Sequence, residues 1–144
     1  MTTTNNKTKI NGALVINGKT SDMLYGATSI GNGAFFEHIE IKSISIPNGV
    51  KSIGNMAFRS CTNLANITIP NSVVEIGAFA FHRCTSLNSI TIPASVTTIA
   101  GWAFLDCDNL TIYVEAETQP ETWEENWNPN NRPVIWGHNS VDSG

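Results

Sequence analysis

The sequence repeats itself with a period of 23 residues, and this feature restricts the possible folds more than any other. Three consecutive units carry the same residue in more than six columns. Among these columns are Pro47, Pro70 and Pro93; Val50, Val73 and Val96; Ile53, Ile76 and Ile99; Ala57, Ala80 and Ala103; Phe58, Phe81 and Phe104; Cys61, Cys84 and Cys107; and Leu64, Leu87 and Leu110. A period of roughly 20 to 50 residues is typical of solenoids, in which neighbouring units stack because one unit cannot bury its apolar face alone. The sequence therefore predicts a stack of similar rungs.

The repeat weakens before the first full unit and shifts after the last one. Ile30 and Phe35 take the isoleucine and phenylalanine columns one period earlier, and His38 takes the cysteine column. After the third unit, "LTIYV" is one residue shorter than "LNSITI", so that Ile112 and Val114 take the places of two isoleucines. We expect about four rungs, over residues 24–114.

Each rung is expected to have two different halves. Leu64, Ile67 and Ile69 end in a two-residue alternation, which is typical of a short strand with one buried face, and the proline that follows ends the strand. In the other half, Ile76, Ala80 and Cys84 are spaced by four residues, which predicts a helical turn whose apolar side faces inward. The predicted fold is a repeat solenoid with short parallel strands on one face and helical turns on the other.

The pattern L-x-x-I-x-I-P followed by V-x-x-I-G-x-x-A-F-x-x-C resembles the BspA-like leucine-rich repeats of bacterial surface proteins. The resemblance covers residues 24–114, and the tryptophan-rich segment after them is similar to segments that close such arrays. It implies a right-handed solenoid and, in general, roles in adhesion and protein binding at a cell surface. It does not imply one particular ligand, because repeat families keep the rung and change the partner.

The exposed ends of a solenoid need covering segments. We expect an N-terminal cap or leader over residues 1–23, with a hairpin or strand because the Asn11–Gly12 and Asn17–Gly18 pairs favour tight turns. Residues 115–137 are expected to form the C-terminal cap, with a short helix after Thr122 and a final strand in "RPVIWG", and residues 138–144 a flexible tail. The cap tryptophans are Trp123, Trp127 and Trp136. They are expected to cover the last rung, and the alternative is an aromatic platform for a carbohydrate or a peptide.

Composition argues against several classes of partner. The net charge is −4 with only eight lysines and arginines, so a nucleic-acid partner is not expected. No apolar run approaches the roughly 20 residues of a membrane span, so membrane insertion is not expected. The first residues lack the apolar segment of a secretory signal and leave the compartment open; the family resemblance alone suggests a cell-surface or extracellular place.

The residues that could carry chemistry do not form a recognisable catalytic or metal-binding pattern. The cysteine column is expected to be buried packing, because the cysteines are odd in number, share one inward column and lack paired metal-ligand spacing. This buried column comprises His38, Cys61, Cys84 and Cys107. His82 is expected to project outward, and the Asp106–Asp108 pair lacks a calcium-loop pattern. No nucleophile, acid and base come together, so the sequence predicts neither an enzyme nor a cofactor.

Two outward-facing sets of residues are candidates for partner contact. The strand face is the row of outward strand positions Ser43, Ser45, Asn66, Thr68, Ser89, Thr91 and Tyr113. It is either a soluble sheet surface or a binding face, since extended sheet surfaces of repeat proteins commonly engage partners. The apolar stripe is Met56, Phe79 and Trp102, one per rung, with Gly33 before them. It is expected on the convex surface, either as packing between rungs or as an interface.

Three functions remain open from the sequence. The leading one is a non-enzymatic adhesion or protein-interaction module whose partner is a protein on a host or self surface. The second is a structural assembly or spacer module, such as a virion or surface-layer component, which forms a homo-oligomer through the apolar stripe. The third is a carbohydrate-binding module that uses the C-terminal tryptophans.

Overall fold

The computed structural model describes residues 7–10, 13–16 and 27–139, and these contain eleven short strands. The strands are β1 (Lys7–Ile10), β2 (Ala13–Ile16), β3 (Ser29–Ile30), β4 (Ser43–Ser45), β5 (Ser52–Ile53), β6 (Asn66–Thr68), β7 (Glu75–Ile76), β8 (Ser89–Ile92), β9 (Thr98–Ile99), β10 (Thr111–Val114) and β11 (Val134–Ile135). The first two pair antiparallel, with Lys7 opposite Ile16 and Ile10 opposite Ala13. That they cap the first rung stays a prediction.

The remaining strands form a parallel solenoid, as the repeat predicts. It has about five turns, where about four rungs were expected. Each full rung contributes one strand to each of two sides. On one side β4 pairs with β6, and β8 pairs with β10, which pairs with β11. On the other side β3, β5, β7 and β9 form one four-stranded sheet. This second sheet was not expected, because its two-residue strands are too short to show an alternating pattern.

The first side of the solenoid is interrupted between β6 and β8, which form no ladder with each other. Ile67 of β6 is half-buried at this interruption, whereas Ile44 and Ile90 in the same column are buried. The one-residue shift after the third unit appears as the pairing of Ile112 with Ile90. The strand predicted near the C-terminus is β11, and Val134 pairs with Ile112.

The predicted helical turns were wrong: the described residues contain no helix. Between β5 and β6 every second N–H group donates to the next rung, as Phe58 N–H does to the Ala80 carbonyl at 2.8 Å. The intervening N–H groups donate three residues back, as Ala57 does to the Gly54 carbonyl at 3.2 Å. A helix would use these donors within one rung. The four-residue spacing instead arises from consecutive tight turns whose remaining donors join neighbouring rungs.

The same turns explain the Ile-Gly pair of the repeat. The Asn55 side-chain carbonyl accepts the Ala78 N–H at 2.9 Å. A Cβ atom at Gly77 would lie 2.5 Å from that oxygen and 2.6 Å from the Asn55 backbone nitrogen. Glycine is therefore required where neighbouring turns approach this closely.

The interior is built from stacked columns of identical side chains. Four phenylalanine rings lie nearly parallel, with centroids 5.0 to 5.4 Å apart, and the Trp127 ring closes the stack edge-on. The stacked rings are Phe35, Phe58, Phe81 and Phe104. Trp123 is also buried, and Trp136 packs against the core while remaining half-buried. The cap thus continues the hydrophobic core.

The cap helix predicted after Thr122 was also wrong. The Glu124 N–H donates to the Ile99 carbonyl at 2.8 Å, so this segment extends the hydrogen bonding between rungs. Trp123 and Trp127 donate their N–H groups three residues back and form turns. Stacking on the last rung therefore replaces helical hydrogen bonding.

Candidate functional site

The apolar stripe lies on the turn segments, and its residues share an unusual backbone conformation. Met56, Phe79 and Trp102 have φ angles of 58°, 57° and 57°, and Gly33 has 64° at the same place one rung earlier. Met56 and Trp102 are 37% and 43% exposed, whereas Phe79 is half-buried and stacks on Trp102 with ring centroids 5.4 Å apart. A left-handed conformation is uncommon for bulky residues and points them here toward solvent. The stripe is a ridge of large side chains along the solenoid.

One cation lies within this ridge. The Arg59 guanidinium is 5.7 Å from the Phe36 ring centroid and 5.8 Å from that of Phe79, which places it between two aromatic rings. One of its terminal amino groups contacts the Met56 sulfur at 3.5 Å. The Arg59 Nε atom is buried without a hydrogen-bond partner among the described residues. Phe36 itself is 43% exposed. The ridge therefore presents apolar rings and a guanidinium group with unused donors.

His82 is buried, so the expectation that it projects outward was wrong. Its Nε2 atom lies 3.5 Å from an Asp106 carboxylate oxygen, and its ring lies 5.5 Å from that of Phe79. Burial, followed by the nearby positive charge of Arg59, lowers the pKa of His82. The outward placement assumed a helical turn, whereas this segment forms no helix and the His82 ring packs beside Phe79.

The strand face is polar but is divided by the interruption between β6 and β8. Five of its members are exposed, namely Ser43, Ser45, Asn66, Thr68 and Ser89. Thr91 and Tyr113 are half-buried, and the Tyr113 ring lies 4.9 Å from that of His138. The face is therefore a row of mostly small polar side chains, with Tyr113 as its large member, and the strands beneath it belong to two sheets. Its role as a binding surface stays a prediction.

The three cysteines of the buried column are fully enclosed. The thiols of Cys61, Cys84 and Cys107 each donate to the carbonyl of a phenylalanine in the preceding rung, at 3.0, 3.1 and 3.0 Å. Burial raises the pKa of Cys61 and of Cys107 to about 12, and raises that of Cys84 well above its usual range. His38, in the same column, is half-buried and bonds to Glu40 at 2.7 Å. Thiols of this kind pack and hydrogen-bond, since the reactive form is the thiolate.

The C-terminal cap carries a pocket of about 530 Å³. Trp123 and Trp127 are buried, which excludes an aromatic platform made of all three cap tryptophans. Trp136 lines the pocket together with a group of polar side chains. These polar side chains are Gln119, Glu125, Asn128, Asn131 and Arg132.

The described part of the chain offers no group of three or more His, Cys, Asp and Glu side chains placed to hold a metal ion. Over the same residues there is no helix with the length and apolar character that a membrane crossing requires.

Comparison with known proteins agrees with the repeat and the fold. The model of the BspA type leucine rich repeat region matches residues 27–122, in six copies. The chain belongs to the BspA-type leucine-rich repeat family. Proteins of this repeat class are generally protein-interaction scaffolds without enzymatic activity. No curated protein matches the sequence.

Solved bacterial structures place this BspA-type chain among longer leucine-rich repeat proteins. A leucine rich repeat protein of T. pallidum is 30% identical with a TM-score of 0.60, over 77% of this chain and 46% of that one. One from Bacteroides capillosus is 36% identical with a TM-score of 0.56, over 61% and 63%. A leucine rich cell surface protein of Faecalibacterium prausnitzii shares the fold, with 24% identity and a TM-score of 0.70 over 94% and 38%. The chain spans from about two fifths to under two thirds of the length of these proteins.

Two features of the surface were missed from the sequence. Phe36 and Arg59 lie in one repeat column that continues with His82 and Leu105, so no recurring residue marks them. The polar pocket forms in the cap, outside the repeat, where no periodicity places side chains. Only knowledge of the turn geometry could have brought these residues together.

Proposed function

We propose that this BspA-type repeat chain is a non-enzymatic protein-interaction module, and that its partner binds the apolar stripe together with Phe36 and Arg59. One observation carries the proposal: large apolar side chains stand outward at left-handed positions where the first rung has glycine. Exposed apolar patches bounded by polar residues are typical of interaction sites.

The backbone of the turn needs a left-handed residue at this position, but not a large one. Gly33 adopts the same conformation, and a Cβ atom there would meet nothing within 4 Å. A left-handed conformation costs a non-glycine residue about 1–2 kcal/mol. Met56 and Trp102 adopt this conformation although much of their side-chain surface remains exposed to solvent. Packing between rungs uses part of these side chains, since Trp102 stacks on Phe79 and Met56 contacts Arg59. Contact with another protein would use the surface that stays exposed.

Arg59 indicates what the partner offers besides apolar side chains. A guanidinium group has five N–H donors, and the thioether of Met56 is a weak acceptor. The Arg59 Nε atom is buried, so the terminal amino groups are the donors that could meet a carboxylate or carbonyl oxygen from the partner. The guanidinium that carries them lies between the Phe36 and Phe79 rings. We therefore favour a partner protein that presents apolar side chains beside an acidic residue.

A second copy of the chain is the competing occupant of this ridge and corresponds to a structural assembly module. Two copies meeting through this face would bring two Arg59 groups into one interface, and like charges oppose such contact. We favour a different protein for this reason. Because the Faecalibacterium prausnitzii protein is a cell surface protein, we extend the proposal to adhesion at a cell surface.

The test uses the double variant Met56→Gly/Trp102→Gly, which repeats the glycine of the first rung. The control is Ser45→Ala/Thr68→Ala on the strand face, where both side chains are exposed. Each protein is used to capture partners from cell-surface protein preparations, and a captured partner is purified and titrated by calorimetry. We expect the glycine variant to weaken binding by at least about tenfold, as loss of central apolar contacts does, and the control to bind normally.

Two outcomes would count against this proposal. A purified partner that loses affinity with the strand-face variant, and not with the glycine variant, would assign binding to the strand face. A wild-type mass that rises with concentration in sedimentation, and stays constant for the glycine variant, would assign the stripe to self-assembly.

A further inference from the structure

The pocket of the C-terminal cap lies at the C-terminal end of the solenoid, and none of its lining residues belongs to the apolar stripe. Its volume of about 530 Å³ lies within the range of roughly 300–1,000 Å³ that small-molecule sites occupy. Its walls combine an indole, Trp136, with carboxylate, amide and guanidinium groups. We propose that this pocket binds a neutral saccharide.

The pocket is held in shape by hydrogen bonds that tie it to the last rung. The Asn128 amide donates to the Arg132 carbonyl and accepts the Arg132 N–H, both at 3.0 Å. The Arg132 Nε–H donates to the Leu110 carbonyl at 3.0 Å, and the Trp127 indole N–H donates to the Gln119 side-chain carbonyl at 3.2 Å. Arg132 and Gln119 are thus fixed before a ligand arrives, which lowers the entropic cost of binding.

Several polar groups of the pocket remain available to a ligand. Within the described part of the chain, no hydrogen bond or ion pair engages the Glu125 carboxylate, the Asn131 side chain or the terminal amino groups of Arg132. Carboxylate oxygens accept, guanidinium groups donate, and an amide does both. Each hydroxyl group of a sugar can donate one hydrogen bond and accept two. A sugar ring therefore matches a wall of donors and acceptors better than a ligand that can only accept or only donate hydrogen bonds.

The charge and the apolar surface of the pocket wall restrict the class of ligand further. Glu125 and Arg132 contribute one negative and one positive charge, so the wall gives no net preference for an anion. Trp136, Pro133 and Val134 add apolar surface that can contact the C–H groups of a sugar. Trp136 is half-buried and packs on Trp123 with ring centroids 5.9 Å apart, so its position is set by the core.

The experiment compares wild type with Glu125→Ala/Asn131→Gly. Glu125 is exposed, and glycine suits the left-handed conformation of Asn131, whose φ is 52°, so we expect no change in melting temperature. The control is Glu121→Ala, an exposed acid of the same cap that does not line the pocket. Binding of neutral mono- and disaccharides is measured by saturation-transfer NMR at up to about 10 mM and then by calorimetry.

We expect at least one neutral sugar to bind wild type and the control equally, and the double variant to lose at least about tenfold in affinity. The proposal is overturned if no neutral sugar binds, or if the double variant binds as wild type does. Binding of only acidic sugars, inorganic phosphate or a peptide pool would overturn it as well. The Met56→Gly/Trp102→Gly protein should retain sugar binding, which separates this site from the proposed protein interface.

Discussion

The phenylalanine column and the apolar stripe lie two residues apart on the same turns and share the 23-residue period. They differ in burial and in how strictly the residue type is kept. Every rung has a phenylalanine in the first column, and its ring stacks parallel to the next. The stripe has glycine, methionine, phenylalanine and tryptophan on one repeated backbone conformation. The fold thus specifies the backbone at both places, but it specifies the side chain only where the next rung encloses it. Variation among rungs is informative about function in the stripe and uninformative in the core.

The largest expected difference between interior and surface is in cysteine reactivity. Because the cysteine column is enclosed and its pKa values are raised, we expect the three thiols to react with a maleimide at pH 8 about 1,000-fold or more slowly in the folded protein than in denaturant. Mass spectrometry of timed samples measures this ratio. Rapid labelling of Cys84 in the folded protein would mean that the column opens without unfolding.

The next largest effect should follow from a cavity in the phenylalanine column. Phe81→Ala removes a ring that lies 5.4 Å from both neighbours, and we expect a loss of about 3–5 kcal/mol in the free energy of unfolding. Urea unfolding monitored by circular dichroism measures the change. A loss below about 1 kcal/mol would show that the rungs collapse around the missing ring.

The smallest effect should come from the stripe. Met56→Gly removes the strain of a methionine held in the left-handed conformation, which stabilises the folded state. It also raises the conformational entropy of the unfolded chain, which opposes that gain. We expect the free energy of unfolding to change by less than about 1 kcal/mol, measured in the same urea titration. A loss as large as that of Phe81→Ala would place Met56 in the core and remove the contrast between the two columns.

The sequence was sufficient for the solenoid, because parallel stacking follows from a repeat that aligns identical apolar residues. It was insufficient for the turns. Ile76, Ala80 and Cys84 have a helix-like spacing, but half of the donors between them serve the neighbouring rung, and no local pattern reports a bond to a residue 22 or more positions away. His82 and Arg59 were unpredictable for the same reason, since their surroundings depend on the turn geometry. The cap pocket depends on tertiary contacts of single residues such as Arg132.

The gap between β6 and β8 gives the molecule a preferred direction of bending. On that side two sheets meet without a ladder between them, whereas the opposite side is one four-stranded sheet. Widening the gap breaks no sheet hydrogen bonds, but bending the other way must stretch the ladders that join β5, β7 and β9. We therefore expect the solenoid to bend more easily in the sense that widens this gap than in the opposite sense.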